Sequence, residues 1–384
     1  MSQRSKLPDV GTTIFTVMSR RAAETGAINL GQGFPDYPID TRLCELVAEA
    51  MAQGHNQYAP MLGVPALREQ IARKLQRCYA VTIDPETEIT ITVGATEALY
   101  SAIQALVGAG DEVLVFDPAY DSYDPAVRLA GARCVHLPLA APQFRPDWDR
   151  VRAAMTARTR LIIINSPHNP ACSCLSNADL DQLASLLRDR DCRVLADEVY
   201  EHMVFDGAAH ATVLAHPQLR ERSVAVYSFG KTLHSTGLRI GYAVAPAALS
   251  AELRKVHQFN TFTVATATQH AVAAYLGERP DCGADLPAFF QARRDRLAGL
   301  LAGSGLQVLR SAGSYFLLLD YSGVDARGDV ELAEALIGEA GVATIPLSVF
   351  YREPPDQRLL RLCFAKREDT LVEGARRLAA WAQR

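Results

Sequence analysis

No stretch of this chain approaches the length and apolarity of a membrane span, and the opening MSQRSKLPDVGTT lacks the apolar centre of a secretion signal. The expectation is a cytoplasmic protein with no membrane partner. Excess positive charge is missing as well. There are 39 Lys and Arg against 43 Asp and Glu, a formal charge of −4, so no broad basic field awaits a nucleic acid. Metal-binding spacing is absent too. Cys172-Ser173-Cys174 is too tight for the usual zinc pair, and no HExxH accompanies it. The eight cysteines of a long chain without an export signal read as reduced, mostly buried thiols, and no metal site is expected. Internal repeats and low-complexity segments are not found.

What is present suits a large globular fold. Of 384 residues, 49% are hydrophobic and 21% charged, enough to bury a sizeable core. Short runs rich in Val, Ile and Leu end in polar or turn residues: EITITVG (88–94), EVLVFDP (112–118), RLIIINS (160–166), CRVLADE (192–198) and SVAVYSF (223–229). These read as buried parallel strands. Between them lie helical patterns, with Leu99, Ile103 and Leu106 on one face, Leu67, Ile71, Leu75 and Cys78 on another, and a capped start at Ser176-Asn177. Alternation of strand and helix predicts an α/β class with a mostly parallel sheet between helices. After Gly277 the alternation lapses, and residues 278–384 read as a smaller α+β domain. The expected organisation is an N-terminal arm and part of the small domain over 1–40, a large cofactor-binding α/β domain over 41–277, and the small α+β domain over 278–384.

Ligands of open parallel sheets bind beyond the carboxyl ends of the strands. Reading off those ends collects Gly94-Ala95-Thr96, Ala119-Tyr120, Asn169-Pro170, Asp197 to Tyr200, and Ser228 to Lys231. Gly94-Ala95-Thr96 opens a helix, where free N–H groups could receive a phosphate; an ordinary capped turn explains it equally.

Lys231 admits three readings. Gly230-Lys231-Thr232 mimics the end of a P-loop, but Ala225 stands where its first glycine belongs. Ser228-Phe229-Gly230-Lys231 spells the SxxK of serine-nucleophile penicillin-recognising enzymes, yet the companion SDN element is missing and Lys231-Thr232 runs into Leu233. The third reading uses the whole cluster. A desolvated Lys231 forms a Schiff base with a carbonyl cofactor. Asp197 keeps a ring nitrogen protonated, Asn169 and Tyr200 hydrogen-bond a phenolate oxygen, and Ser228 and Arg239 join the phosphate cradle. The cofactor is pyridoxal phosphate.

The ordered set Asn169-Pro170, Asp197-Glu198-Val199-Tyr200, Ser228-Phe229-Gly230-Lys231 and Arg239 resembles the class I and II aminotransferases of the type I pyridoxal-phosphate fold. So do INLGQGFPDYP (28–38), NQYAPMLGVPALREQIA (56–72), VGATEALYSAIQALV (93–107), FDPAYDSY (116–123) and RLLRLCFAK (358–366). Within that class GQGFPD, NQYAPMLG and ATIPLSVFY (343–351) most resemble the methionine aminotransferases, with kynurenine and glutamine transaminases as near relatives. The resemblance implies transamination between an amino acid and a 2-oxo acid, in a homodimer with shared sites. It implies that Arg361 grips the substrate carboxylate, with Gly33 approaching the same group. Arg358 offers the same fork nearby, and spacing does not choose between the two arginines. Tyr120 would stack on the cofactor, and Tyr58 would reach the phosphate across the subunit boundary. Phe15, Tyr37 and Phe262 would shape the side-chain pocket, although core or interface packing explains them as well. The pocket candidates favour methionine, aromatic or other apolar donors. The same fold also hosts cysteine-conjugate carbon–sulfur β-lyases and kynurenine or glutamine transaminases, which stand as the alternative. A ligand-sensing DNA-binding regulator would need a further domain, for which the chain has no room. One departure stands out: the family often has glycine two residues after Asn169-Pro170, where this chain has Cys172.

Overall fold

A computed structural model describes residues 5–384. Its centre is a seven-stranded sheet in the order Ile89–Thr92, Gly241–Val244, Ser223–Ser228, Arg193–Asp197, Thr159–Asn165, Glu112–Asp117, Arg133–Pro138. The last five run parallel. Gly241–Val244 is antiparallel to both of its neighbours. The Ile89–Thr92 strand, read from sequence as one of the parallel set, therefore points with that set but hydrogen-bonds only to an antiparallel partner. Its carboxyl end still reaches the same sheet edge as the others.

Side chains alternate across this sheet with period two. Leu114, Ile162, Val194 and Ala225 enter the apolar cluster on one face. Val113, Leu161, Leu195 and Val224 enter the cluster on the other. A strand buried on both faces needs apolar residues at every position, which is why these runs are continuous rather than alternating. Helices supply the covering layers. Gly94–Leu106 buries Ala98, Leu99, Ala102 and Ile103. Asn177–Leu187 starts with a capping box between Ser176 and Asp179. Pro65–Tyr79 carries its proline in the first turn, where the missing N–H costs nothing.

A second, antiparallel sheet has the order Ile345–Pro346, Leu359–Cys363, Phe316–Asp320, Gln307–Val308. Near the amino terminus, Ile28–Asn29 pairs in parallel with Val342–Ala343. The following residues extend the contact, since Cys363 N–H donates to Leu30 O at 2.6 Å. The segment carrying Gly31 and Gly33 is thereby fixed beside the strand carrying Arg361. Among the described residues, no helix is long and apolar enough to cross a membrane.

Candidate active site

At the carboxyl edge of the parallel strands lies a cavity of about 260 Å³, walled by both parts of the structure. From the large sheet come Ala95, Thr96, Tyr120, Asn169, Asp197, Tyr200, Ser228, Lys231 and Arg239. From the other side come Phe15, Gly33 and Arg361. Twelve residues singled out from the sequence thus converge on one space.

Lys231 sits in the short helix Phe229–Thr232 that follows directly from the Ser223–Ser228 strand, with Ser228 at the N-cap. Its amine donates to the Tyr315 hydroxyl at 2.6 Å and lies 3.4 Å from the Gly33 carbonyl. Burial pulls the ammonium down to about 8, with Arg361 and Arg239 pushing the same way against Asp197 and Cys363. Asp197 ends its own strand and is only 4% exposed. Burial pushes its carboxyl up to about 6, opposed by the Tyr123 hydroxyl, which donates to Oδ2 at 2.7 Å, and by the Val199 N–H. Such an acid, half satisfied inside protein, suits a cationic ring nitrogen.

The end of the cavity at the helix start is built from close approaches. Gly94 starts its helix at φ +71°, and a Cβ there would meet Arg239 Nη2 at 2.7 Å. Only glycine lets the guanidinium pack so close to the helix start, where N–H groups are free. Gly241 is equally crowded, since a Cβ would fall 2.8 Å from Ala95 N. Arg239 adopts the left-handed conformation at φ 52° and donates to Thr236 O at 3.1 Å. Burial raises the Tyr120 phenol to about 12 and the Tyr200 phenol further, so both stay protonated donors at neutral pH.

Arg361 is 1% exposed, an unusual state for a guanidinium. Nη1 donates to Asn169 Oδ1 at 2.6 Å, Nη2 donates to Gly31 O at 2.9 Å, and the ring of Phe316 lies 3.8 Å from its central carbon. Among the described residues no carboxylate pairs with it, and its Nε has no hydrogen-bond partner. A buried cation so arranged is shaped for an incoming anion. Arg358 instead directs Nη1 towards Asp325 O and Nε towards Asp356, and of the two arginines Arg361 is the one that lines the cavity. Gly33 packs against Phe316, which a Cβ would strike at 2.8 Å.

Four expected residues do not line this cavity, one of them Gly94, which stands at the helix start beside Arg239. Tyr37 packs against Phe289 and brings its hydroxyl 3.5 Å from His234 Nδ1. Tyr58 is 84% exposed and meets Phe262 edge-on at 5.4 Å, on the surface. Conversely, Tyr315, Tyr123, Gln32, Asn165 and Phe316 belong to the site or its immediate support and were not singled out. Asn165 ends the LIIIN run, so the strand-end rule could have found it. Tyr315 had no such signal, because its contact with Lys231 spans 84 positions. Cys172 adopts φ +61° and is 1% exposed, so the turn keeps the backbone that glycine would favour.

A buried lysine, a buried carboxyl, a glycine-opened helix start and a buried arginine share one cavity, an arrangement that fits a pyridoxal-phosphate enzyme. The family described as "Aminotransferase class I and II" matches residues 25–378, and this chain belongs to it. It is 52% identical to the methionine aminotransferase of Escherichia coli (strain K12), over 98% of this chain and 97% of that one. A probable N-succinyldiaminopimelate aminotransferase of Mycobacterium tuberculosis is 41% identical, over 99% of this chain and 98% of that protein. The solved structure of YbdL from Escherichia coli, described as having a methionine aminotransferase function, superposes with a TM-score of 0.96 at 51% identity, covering 99% of this chain and 100% of that one. The protein is a pyridoxal-phosphate-dependent aminotransferase of the type I fold.

Proposed function

We propose that this aminotransferase prefers methionine and other apolar or aromatic L-amino acids, with a 2-oxo acid as its second substrate. The observation that carries this reading is the allocation of cations. Among the described residues, the Lys and Arg side chains lining the cavity are Lys231, Arg239 and Arg361. Arg239 faces the phosphate end, Arg361 takes the α-carboxylate, and Lys231 performs the chemistry. None remains to pair with a carboxylate at the far end of the substrate, while Phe15 and Phe316 offer apolar surface. The similarity to a methionine aminotransferase supports the same choice. Apolar pockets separate similar side chains only modestly, so a broad donor range is expected.

When bound, the cofactor supplies an electron sink for the substrate α-carbon. Asp197 would hold its ring nitrogen protonated, and Tyr123 Oη donates to that carboxylate. Tyr120 would cover the ring, while Asn169 and Tyr200 would serve the phenolate oxygen. Gly94, Ala95, Thr96, Ser228 and Arg239 would hold the phosphate. Arg361, seated by Asn169 and Gly31, orients the substrate carboxylate beside Gly33. Lys231, its ammonium brought down to about 8 by burial, would serve as the base for the substrate α-proton and hold that proton at Nζ.

The working unit is a cytoplasmic homodimer in this proposal. Tyr58, Phe259 and Phe262 expose 84%, 85% and 42% of their surface, an apolar patch that invites a second copy. Tyr58 would then reach the neighbouring subunit's phosphate, and Phe262 its side-chain pocket. Tyr37 would border that pocket from the loop after Gly33. Segments 1–40 and 278–384 would act together against 41–277, as the pairing of Ile28–Asn29 with Val342–Ala343 supports.

The test is a half-reaction followed by absorbance. Methionine should bleach the cofactor band and a 2-oxo acid should restore it, with kcat/KM for methionine, phenylalanine and leucine exceeding that for aspartate. A preference for aspartate or for a succinylated diamino acid would overturn the assignment.

A further inference from the structure

We propose that Asp124, Cys134 and His136 bind a divalent transition-metal ion of the zinc class at the outer edge of the central sheet. Cys134 and His136 alternate on the edge strand Arg133–Pro138, so both project from the same side. Asp124 stands in the first turn of the helix Tyr123–Leu129, which packs against that strand. One ligand atom from each of the three lies within 4.8 Å of the others.

The histidine is oriented as metal-binding histidines are. Its Nδ1 lies 2.9 Å from Asp117 Oδ1, and Asp117 is buried. A carboxylate on one ring nitrogen fixes the ring and leaves the other to face a metal. That other nitrogen, Nε2, lies 3.6 Å from Asp124 Oδ1. This is long for a hydrogen bond. It is close to the separation of roughly 3.3 Å between two ligands of a tetrahedral ion with bonds of about 2.0–2.1 Å. Asp124 divides its oxygens, since Oδ2 faces Arg128 Nη1 at 3.2 Å and Oδ1 remains for an ion.

A thiol, an imidazole and a carboxylate select zinc-like ions over calcium or magnesium, which favour oxygen alone. Three protein ligands leave a fourth position for water. The side chains of His136 and Asp124 are 17% and 28% exposed, so an ion can reach them from solvent. Bound there, it would tie the edge strand to the helix whose first residue, Tyr123, supports Asp197. The role is structural, beside the catalytic centre and outside it. In the structure, Asp117 Oδ1 and Asp124 Oδ1 flank the His136 ring at 2.9 and 3.6 Å.

The holoenzyme, freed of metal by chelator and kept free of amino acid, is dialysed against zinc sulfate and its metal content measured. About one tightly held zinc per chain is expected in the parent, and also when the exposed Cys44 and Cys78 are replaced by serine. Cys134→Ser and His136→Gln should each weaken binding at least about tenfold, with cofactor absorbance retained. Anomalous scattering at the zinc edge should place the ion between the three residues and decides the matter if either variant misfolds. A parent that holds no stoichiometric zinc, or a Cys134→Ser protein with unchanged affinity, would overturn the proposal.

Discussion

Replacing Lys231 by methionine should stabilise the cofactor-free protein at neutral pH, and the gain should disappear in alkali. Burial brings the Lys231 ammonium from its ordinary 10.5 down to about 8. At 1.36 kcal/mol per pH unit, that difference corresponds to about 3 kcal/mol of cost for holding the charged form in the folded state. Lys231 keeps partial access to water through the cavity, which reduces the figure to about 2 kcal/mol. Below pH 8 the lysine is charged in both folded and unfolded chains, and the full cost is present. Between about 8 and 10.5 the folded chain releases its proton first, so parental stability rises with pH. Above that window both states are neutral. Urea unfolding of cofactor-free parent and Lys231→Met at equal concentration, at pH 7 and pH 10.5, measures the difference. The methionine variant should lead by about 2 kcal/mol more at pH 7 than at pH 10.5. A pH-independent difference would refute the claim that burial of this amine is what prepares it as a base.

Three further outcomes follow from the site. Arg361→Met should lower kcat/KM for methionine by about 10²–10³, equivalent to roughly 3–4 kcal/mol, because a buried charge pair with the substrate is lost; a fall under tenfold would remove Arg361 from carboxylate binding. Gly94→Ala adds a Cβ 2.7 Å from Arg239 Nη2 at φ +71°, so cofactor retention on dialysis should weaken about tenfold or more while the fold survives. At Cys172, relief of about 1 kcal/mol of left-handed strain offsets a similar loss of buried side chain, so Cys172→Gly should leave stability within about 1 kcal/mol; Cys172→Val should cost over about 2 kcal/mol in denaturant unfolding.

The strand ends carried most of the legible information. A run such as VLAD followed by Glu198-Val199-Tyr200 announces both a buried strand and the polar residues at its exit, because backbone direction fixes where those residues emerge. That is why Asp197, Asn169, Ser228 and Lys231 could be gathered before any contact was known. Arg361 and Gly33 came from resemblance, since neither lies at the end of a parallel strand. Tyr315 and Tyr123 had no signature at all. A hydroxyl becomes a partner of Lys231 or Asp197 only when chain segments far apart are brought within 3 Å. The direction of Ile89–Thr92 was legible but its pairing was not, because apolar composition is the same for parallel and antiparallel neighbours.

The sequence by itself determined that an α/β sheet would form, which residues would stand at its carboxyl edge, and that one lysine among them had a carboxylate, an amide and a hydroxyl for company. Periodicity and local turn chemistry act over a few residues, so a linear reading captures them. Only the tertiary structure decided that Arg361 rather than Arg358 enters the cavity, that Tyr58 and Phe262 lie on the surface, and that Asp124 meets Cys134 and His136. Those outcomes depend on how separate elements pack against one another, where burial changes what a charge or a hydroxyl can do.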